Sequence, residues 1–178
     1  MALDLSIRHD LWLKRLPSSP TDGGRVEALV VRPPGTEGVR ESRDSVGVLT
    51  DGLEGDKWRH DDEAPDGSQV SLINVHMSRA VAGEGSVLTG DNLQVDLDLS
   101  EANLPIGTRL EIGTCVLEVS EVPHRPCKAF LERFGAAAAK RVARAGRTGR
   151  RGRGVMCRVA QPGTITAGDG IQVVRPRR

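Results

Sequence analysis

The residue best equipped for chemistry in this 178-residue chain is Cys127. It sits in the run His124-Arg125-Pro126-Cys127-Lys128, with cationic side chains on both sides and the best helical stretch of the sequence starting behind it. Positive neighbours and a helix N-terminus both favour thiolate over thiol. A thiolate is either a nucleophile or a soft metal ligand. The plain alternative is a free cysteine that falls by chance in a basic turn. Cys115 alternates with Leu117 and Val119, and Cys157 with Val155 and Val159, so those two thiols belong to strand faces that pack in the core. A zinc site finds little support: the three cysteines form no CxxC pair, and His9, His60, His76 and His124 show no paired ligand spacing. A cysteine hydrolase needs a histidine beside the thiol. His60 and His124 are available, and neither stands at a spacing that singles it out.

Charge is segregated around Cys127. Between His124 and Arg158 lie eleven Lys and Arg residues against Glu132 alone, so this segment carries +10. The rest of the chain, with 14 basic and 23 acidic residues, carries −9, and the net +1 is a cancellation. The bland reading is a solvated helix face and loop. The chemical reading is an anion site, since arginines and the backbone N–H groups of the loop RTGRRGRG both suit a phosphate. On charge alone, Arg125, Lys128, Arg147, Arg150 and Arg151 are the candidates to hold one. Composition argues against a base-stacking surface, because Trp12, Trp58, Phe130 and Phe134 are the only aromatic residues, and an electrostatic nucleic-acid binder using the arginine loop is the weakest of the readings. No nucleic-acid partner is therefore expected, and no membrane partner, since no apolar run approaches the ~20 residues of a spanning helix. The N-terminal MALDLSIRHDLWLKRLPSSP lacks the apolar core of a signal peptide, so the expected location is the cytoplasm, with reduced thiols.

Gly and Pro make up 31 of the residues, which predicts short elements and many tight turns. Residues 1–22 show a weak helical spacing that stops at Pro17 and Pro20, and read as an extension packed on a domain spanning 23–178. From Arg25 the pattern is β: VEALVV, SVGVL, QVSLINV, NLQVDLDL, RLEIGTCVLEVSEV and VMCRVA, interrupted by an acidic surface loop over 51–67 and a short helix over 76–82. RLEIGTCVLEVSEV reads as one strand. Residues 128–145 favour helix, divided at Gly135. No alternating βαβ pattern is evident, so the expected fold is mostly β: an antiparallel β-barrel with a few short peripheral helices. Neither GxGxxG nor GxxxxGK[ST] occurs.

Seven stretches in order resemble one family: RVEALVVRP, DGLEGDKW, QVSLI, LTGDNLQVDLDL, PIGTRLEIGTCVLEVSEV, HRPCK and RGRGVMCRVAQPGTITAGDGIQV. Together they are similar to the MOSC domain, named for the C-terminal region of molybdenum-cofactor sulfurases, and in particular to its short stand-alone bacterial members. The resemblance covers nearly everything from Arg25 to Val174. It implies a β-rich barrel that binds the molybdenum cofactor (molybdopterin), with Cys127 as metal ligand and catalytic residue and Asn92 as a hydrogen-bonding partner of the cofactor. Gly55 and Asp56 match the GLEGD turn, where turn stabilisation ranks ahead of catalysis. The activity implied is molybdenum-dependent reduction of N-hydroxylated compounds, fed by an external electron-donor reductase. The alternative is a non-enzymatic carrier of molybdenum cofactor, or of persulfide sulfur on Cys127, whose partners would be a molybdoenzyme or a sulfur donor.

Overall fold

β-branched runs cut by turn formers give eleven short strands among the described residues of the computed structural model, which cover 11–60, 64–83, 87 and 89–176. Residues 1–10, His9 among them, and the side chain of His60 lie outside them. The strands are β1 (Gly24–Val31), β2 (Glu41–Arg43), β3 (Ser45–Leu49), β4 (Gly52–Leu53), β5 (Val70–Asn74), β6 (Leu93–Asp96), β7 (Arg109–Ile112), β8 (Cys115–Val119), β9 (Val155–Gln161), β10 (Gly163–Thr166) and β11 (Gly170–Val174). Seven of these close a barrel in the order β11-β7-β8-β9-β5-β6-β1, with β1 pairing back onto β11; β2 extends from β1, and β10-β3-β4 form a small second sheet.

The barrel is mixed rather than purely antiparallel, because β5 and β6 run parallel with Leu72 opposite Leu93. A parallel pair needs a crossover, and the helix α1 (Val75–Ala82) supplies it. This βαβ unit corrects the expectation that none is present. RLEIGTCVLEV is likewise two strands: Gly113 adopts φ 57 and turns the chain into a β7–β8 hairpin, with Ile112 facing Cys115. A side chain at 113 would also meet the Thr164 carbonyl oxygen at 2.2 Å.

The barrel interior is aliphatic, with Leu29, Leu72, Leu93, Leu110, Leu117, Cys115 and Cys157 among its buried residues. Burial pushes the Cys115 thiol up to about 11 and that of Cys157 up to about 12, so both stay protonated and inert. A bulge between Val26 and Ala28 resets the alternation of β1, so that Val26 and Leu29 both reach the core. β5 is buried on both faces. Leu72 points into the barrel, while Ile73 packs outward against Met77, Phe130, Val142 and Leu13.

That outer cluster seats the second helix, α2 (Lys128–Arg147), which breaks at Gly135 with φ 77 and ψ 169. Residues 11–14 are helical, and Leu13 and Trp12 pack into the same cluster. The loop after α2 returns beneath it. Gly152 lies where a Cβ would strike the Val142 oxygen at 2.4 Å, and Gly154, at φ 94, where one would strike the Leu72 oxygen at 1.8 Å. These glycines therefore serve close packing of the loop on α2 and β5.

Candidate functional site

The polar centre of the molecule is built on three consecutive residues, Gly90, Asp91 and Asn92, at the entry to β6. Each organises a different arginine. Gly90, at φ 83, leaves room for the Arg40 guanidinium, whose Nε would be 3.0 Å from any Cβ placed there. Asp91 is fully buried and accepts from Arg153 Nη1 at 2.6 and 2.5 Å, with His124 Nε2 at 3.6 Å. Asn92 accepts at Oδ1 from the Ser71 amide and hydroxyl at 3.1 Å and from Arg32 Nη2 at 3.5 Å. Its Nδ2 donates to Asp56 Oδ2 at 2.9 Å. The Asn92 amide is thus committed to protein partners, and it positions Arg32 rather than presenting a vacant donor.

Asp56 closes this network. Arg32 grips it through Nε at 3.0 Å and Nη2 at 2.8 Å, and the Arg32 and Trp58 amides add bonds at 3.0 and 2.9 Å. With Asn92, five donors converge on a carboxylate 1% exposed, which accounts for the GLEGD turn in structural terms.

Arg40, like Arg153 at its Nε and His124 at its Nδ1, is less completely satisfied. Its Nη1 donates to the Gly38 carbonyl at 2.8 Å, and Arg133 Nη2 reaches the same oxygen at 3.4 Å, so two guanidinium groups meet over one neutral acceptor. Arg40 Nε is buried without a partner among the described residues. Burial, then Arg133 and Arg32, bring its pKa down to about 10, while Cys127 and Asp56 oppose the shift. This cluster sits within electrostatic reach of Cys127, an exposed thiol at the N-cap of α2 whose carbonyl accepts from the Leu131 amide at 3.0 Å.

The residues expected from charge divide among three locations. Arg125, Arg147 and Arg151 line a cavity of about 800 Å³ between α2, the 120–126 loop and the start of β9. Arg151 also donates to the Leu104 carbonyl at 2.8 Å. Arg150 does not line that cavity; it donates to the Leu13 carbonyl at 3.1 Å and, with Arg151, borders a second cavity beside Leu13 and Asn74. Lys128 points into solvent beside Glu132, with 90% of its side chain exposed. Arg32, Arg40, Asp91, His124 and Arg153 were not singled out as a group by the sequence. The one signal was position: three of their contacts radiate from the TGDNL stretch.

His124 forms the wall between the cavity and Asp91, its side chain 7% exposed and its Nδ1 without a partner among the described residues. Burial, followed by repulsion from Arg153, lowers its pKa to about 3 against the pull of Asp91. The folded protein therefore keeps His124 neutral while the unfolded chain takes up a proton below about pH 6.5. Stability from this residue is full above that pH and is lost as pH falls from 6.5 towards 3. Lowering pH from 7 to 5 is expected to cost about 2 kcal/mol through His124. Urea unfolding at both pH values should show that loss in the parent and a smaller one in His124→Gln; equal losses would contradict the assignment.

The family model of the MOSC domain matches residues 66–172, more than half of the chain. The chain belongs to the MOSC domain family, which is associated with binding of the molybdenum cofactor. Among solved structures, YuaD from Bacillus subtilis is similar at 18% identity over 86% of this chain and 97% of that one, with a TM-score of 0.63. YiiM from Escherichia coli is similar at 22% identity over 86% of this chain and 71% of that one, with a TM-score of 0.58. YiiM from Geobacillus stearothermophilus is similar at 21% identity, with coverages of 85% and 75% and a TM-score of 0.56. At these identities the likeness is one of fold. No curated protein matches the chain in sequence.

Proposed function

We propose that this chain holds the molybdenum cofactor at the Cys127–Arg40 site, with Cys127 as the protein's ligand to the metal, and reduces N-hydroxylated compounds to amines. The observation that carries the reading is an exposed thiol within electrostatic reach of a partly buried arginine whose Nε lacks a partner among the described residues. The donor set fits such a group. Among the described residues no three His, Cys, Asp or Glu side chains gather to cage a bare ion, and a metal carried by sulfurs of its own needs only one thiolate from the protein. Arg40 and Arg133 offer positive charge for an anionic phosphate, with Arg32 held in place by Asp56 and Asn92. Arg125, Arg147 and Arg151 contribute the positive field of the adjoining cavity.

When bound, the cofactor supplies two-electron redox chemistry, and the protein supplies ligation, orientation and electrostatics. The net reaction converts R–NHOH, two electrons and two protons into R–NH2 and water. The electrons come from a separate reductase, the partner this reading requires. The test is turnover: protein from a cofactor-competent host, given a chemical reductant, should convert a hydroxylamine or an amidoxime to the corresponding amine or amidine. Cys127→Ala should abolish it. Molybdenum-loaded protein without turnover under any reductant would overturn the reductase reading.

A further inference from the structure

The cavity beneath α2 has a chemistry distinct from that of the Cys127–Arg40 cluster. Its lining includes Arg125 and Pro126 but not Cys127, and most of its wall is hydrocarbon from Val122, Val155, Met156 and the alanines of α2. Two of the few large apolar side chains left exposed in the described residues, Ile106 (58%) and Leu131 (45%), both border it. Apolar exposure of that kind around a concave surface marks a binding site more often than an unused surface. The volume of about 800 Å³ accommodates a small organic molecule.

The charges at this cavity are unequal. Arg153 is neutralised by Asp91 within the wall. That leaves Arg125, Lys140, Arg147 and Arg151 facing Glu101 and Glu121. Arg125, Lys140 and Arg147 have no carboxylate within 4.0 Å among the described residues, and Arg151 bonds to main-chain carbonyls. Arg151 is half-buried, so its guanidinium has lost part of its hydration and gains more from an incoming anion than a fully solvated one would. An apolar wall with an excess of cations is complementary to an amphipathic anion, and a planar carboxylate matches the fork of a guanidinium.

We propose that this cavity binds small amphipathic carboxylates, its apolar wall taking the hydrocarbon body and Arg125, Lys140, Arg147 and Arg151 taking the carboxylate. The thiol is not part of the cavity's lining, and the carboxylate site proposed here adjoins the cofactor site without needing the cofactor to be bound. The test is calorimetric titration of the purified chain with decanoate, decanol, decyltrimethylammonium and acetate at low and moderate salt. Decanoate should bind at least about tenfold more tightly than decanol or the cation, acetate should not register, and added salt should weaken decanoate. Arg147→Ala, at an exposed position compatible with folding, should weaken decanoate about fivefold or more. Arg43→Ala on β2, away from the cavity, should leave it unchanged. Ala139→Phe, which fills the wall, should remove binding. Equal affinity for decanoate and the decyl cation, no binding of decanoate at all, or indifference to Arg147→Ala would overturn the proposal.

Discussion

Asp56→Ala is expected to cost the fold about 3–5 kcal/mol, the range found when one partner of a buried ion pair is removed. The carboxylate is 1% exposed and serves five donors, three of them from Arg32. Truncation leaves the Arg32 guanidinium, the Trp58 amide and Asn92 Nδ2 facing a hole together, and their lost hydration is no longer offset. On a total stability of about 5–15 kcal/mol, such a loss makes the protein marginal. Urea denaturation gives the number directly. The double variant Arg32→Met/Asp56→Leu should be more stable than Asp56→Ala, because it removes the orphaned cation along with the anion. A single-site loss below about 1 kcal/mol would mean that the pair is solvated, contrary to the buried network described above.

Arg153→Met should have a comparable effect, about 3–5 kcal/mol at pH 7, for the mirror-image reason. It strands a carboxylate with no solvent exposure, whose remaining ionisable neighbour among the described residues is His124, neutral at pH 7 and 3.6 Å away. Methionine keeps the apolar contact with Phe130, over whose ring the Arg153 guanidinium sits at 4.8 Å, so the measured loss reports the charge rather than the packing. The variant also carries a pH signature. Arg153 is the second cause holding His124 neutral, after burial. Without it, His124 can take up a proton next to Asp91 in the folded state as pH falls. The parent loses stability between pH 7 and 5 through His124, and the variant should lose less. The gap between the two proteins is therefore expected to narrow at pH 5. A gap that stays constant or widens would contradict the Asp91–His124–Arg153 arrangement.

The parts of this molecule that sequence makes visible are those governed by short-range periodicity. Cys115 and Cys157 declare themselves by alternation, and the break at Gly135 by its place in a run of helix formers. The parallel β5–β6 pair was hidden. Val70–Asn74 is buried on both faces and so reads as an unbroken apolar run, the pattern of a covered parallel strand, yet at five residues such a run has more than one reading. The β7–β8 hairpin was hidden for the opposite reason. Both strands are so regular that the two-residue Gly113–Thr114 turn passes for an irregularity within one long strand.

The site follows the same division. Cys127 stands out through its neighbours in the chain. Arg32, Arg40 and Arg153 matter through contacts with Asp56, Gly90 and Asp91 that span tens of residues, and no local spacing encodes them. The run of arginines after α2 illustrates the difference. As a string it suggests one phosphate loop. In three dimensions Arg150 bonds to the Leu13 carbonyl, Arg151 lies between the cavity beneath α2 and a second one beside Leu13, and Arg153 meets the buried Asp91, while Gly152 and Gly154 between them permit close packing.

The central claim, that Cys127 and its arginines hold a molybdenum cofactor, is tested most directly by elemental analysis with pterin detection on protein purified from a molybdate-fed, cofactor-competent host. The account predicts molybdenum and a phosphorylated pterin bound in about equal amounts in the parent, and loss of molybdenum from Cys127→Ser with its fold intact by unfolding assay. Parent protein free of both, or a Cys127→Ser variant that retains its molybdenum, would contradict it.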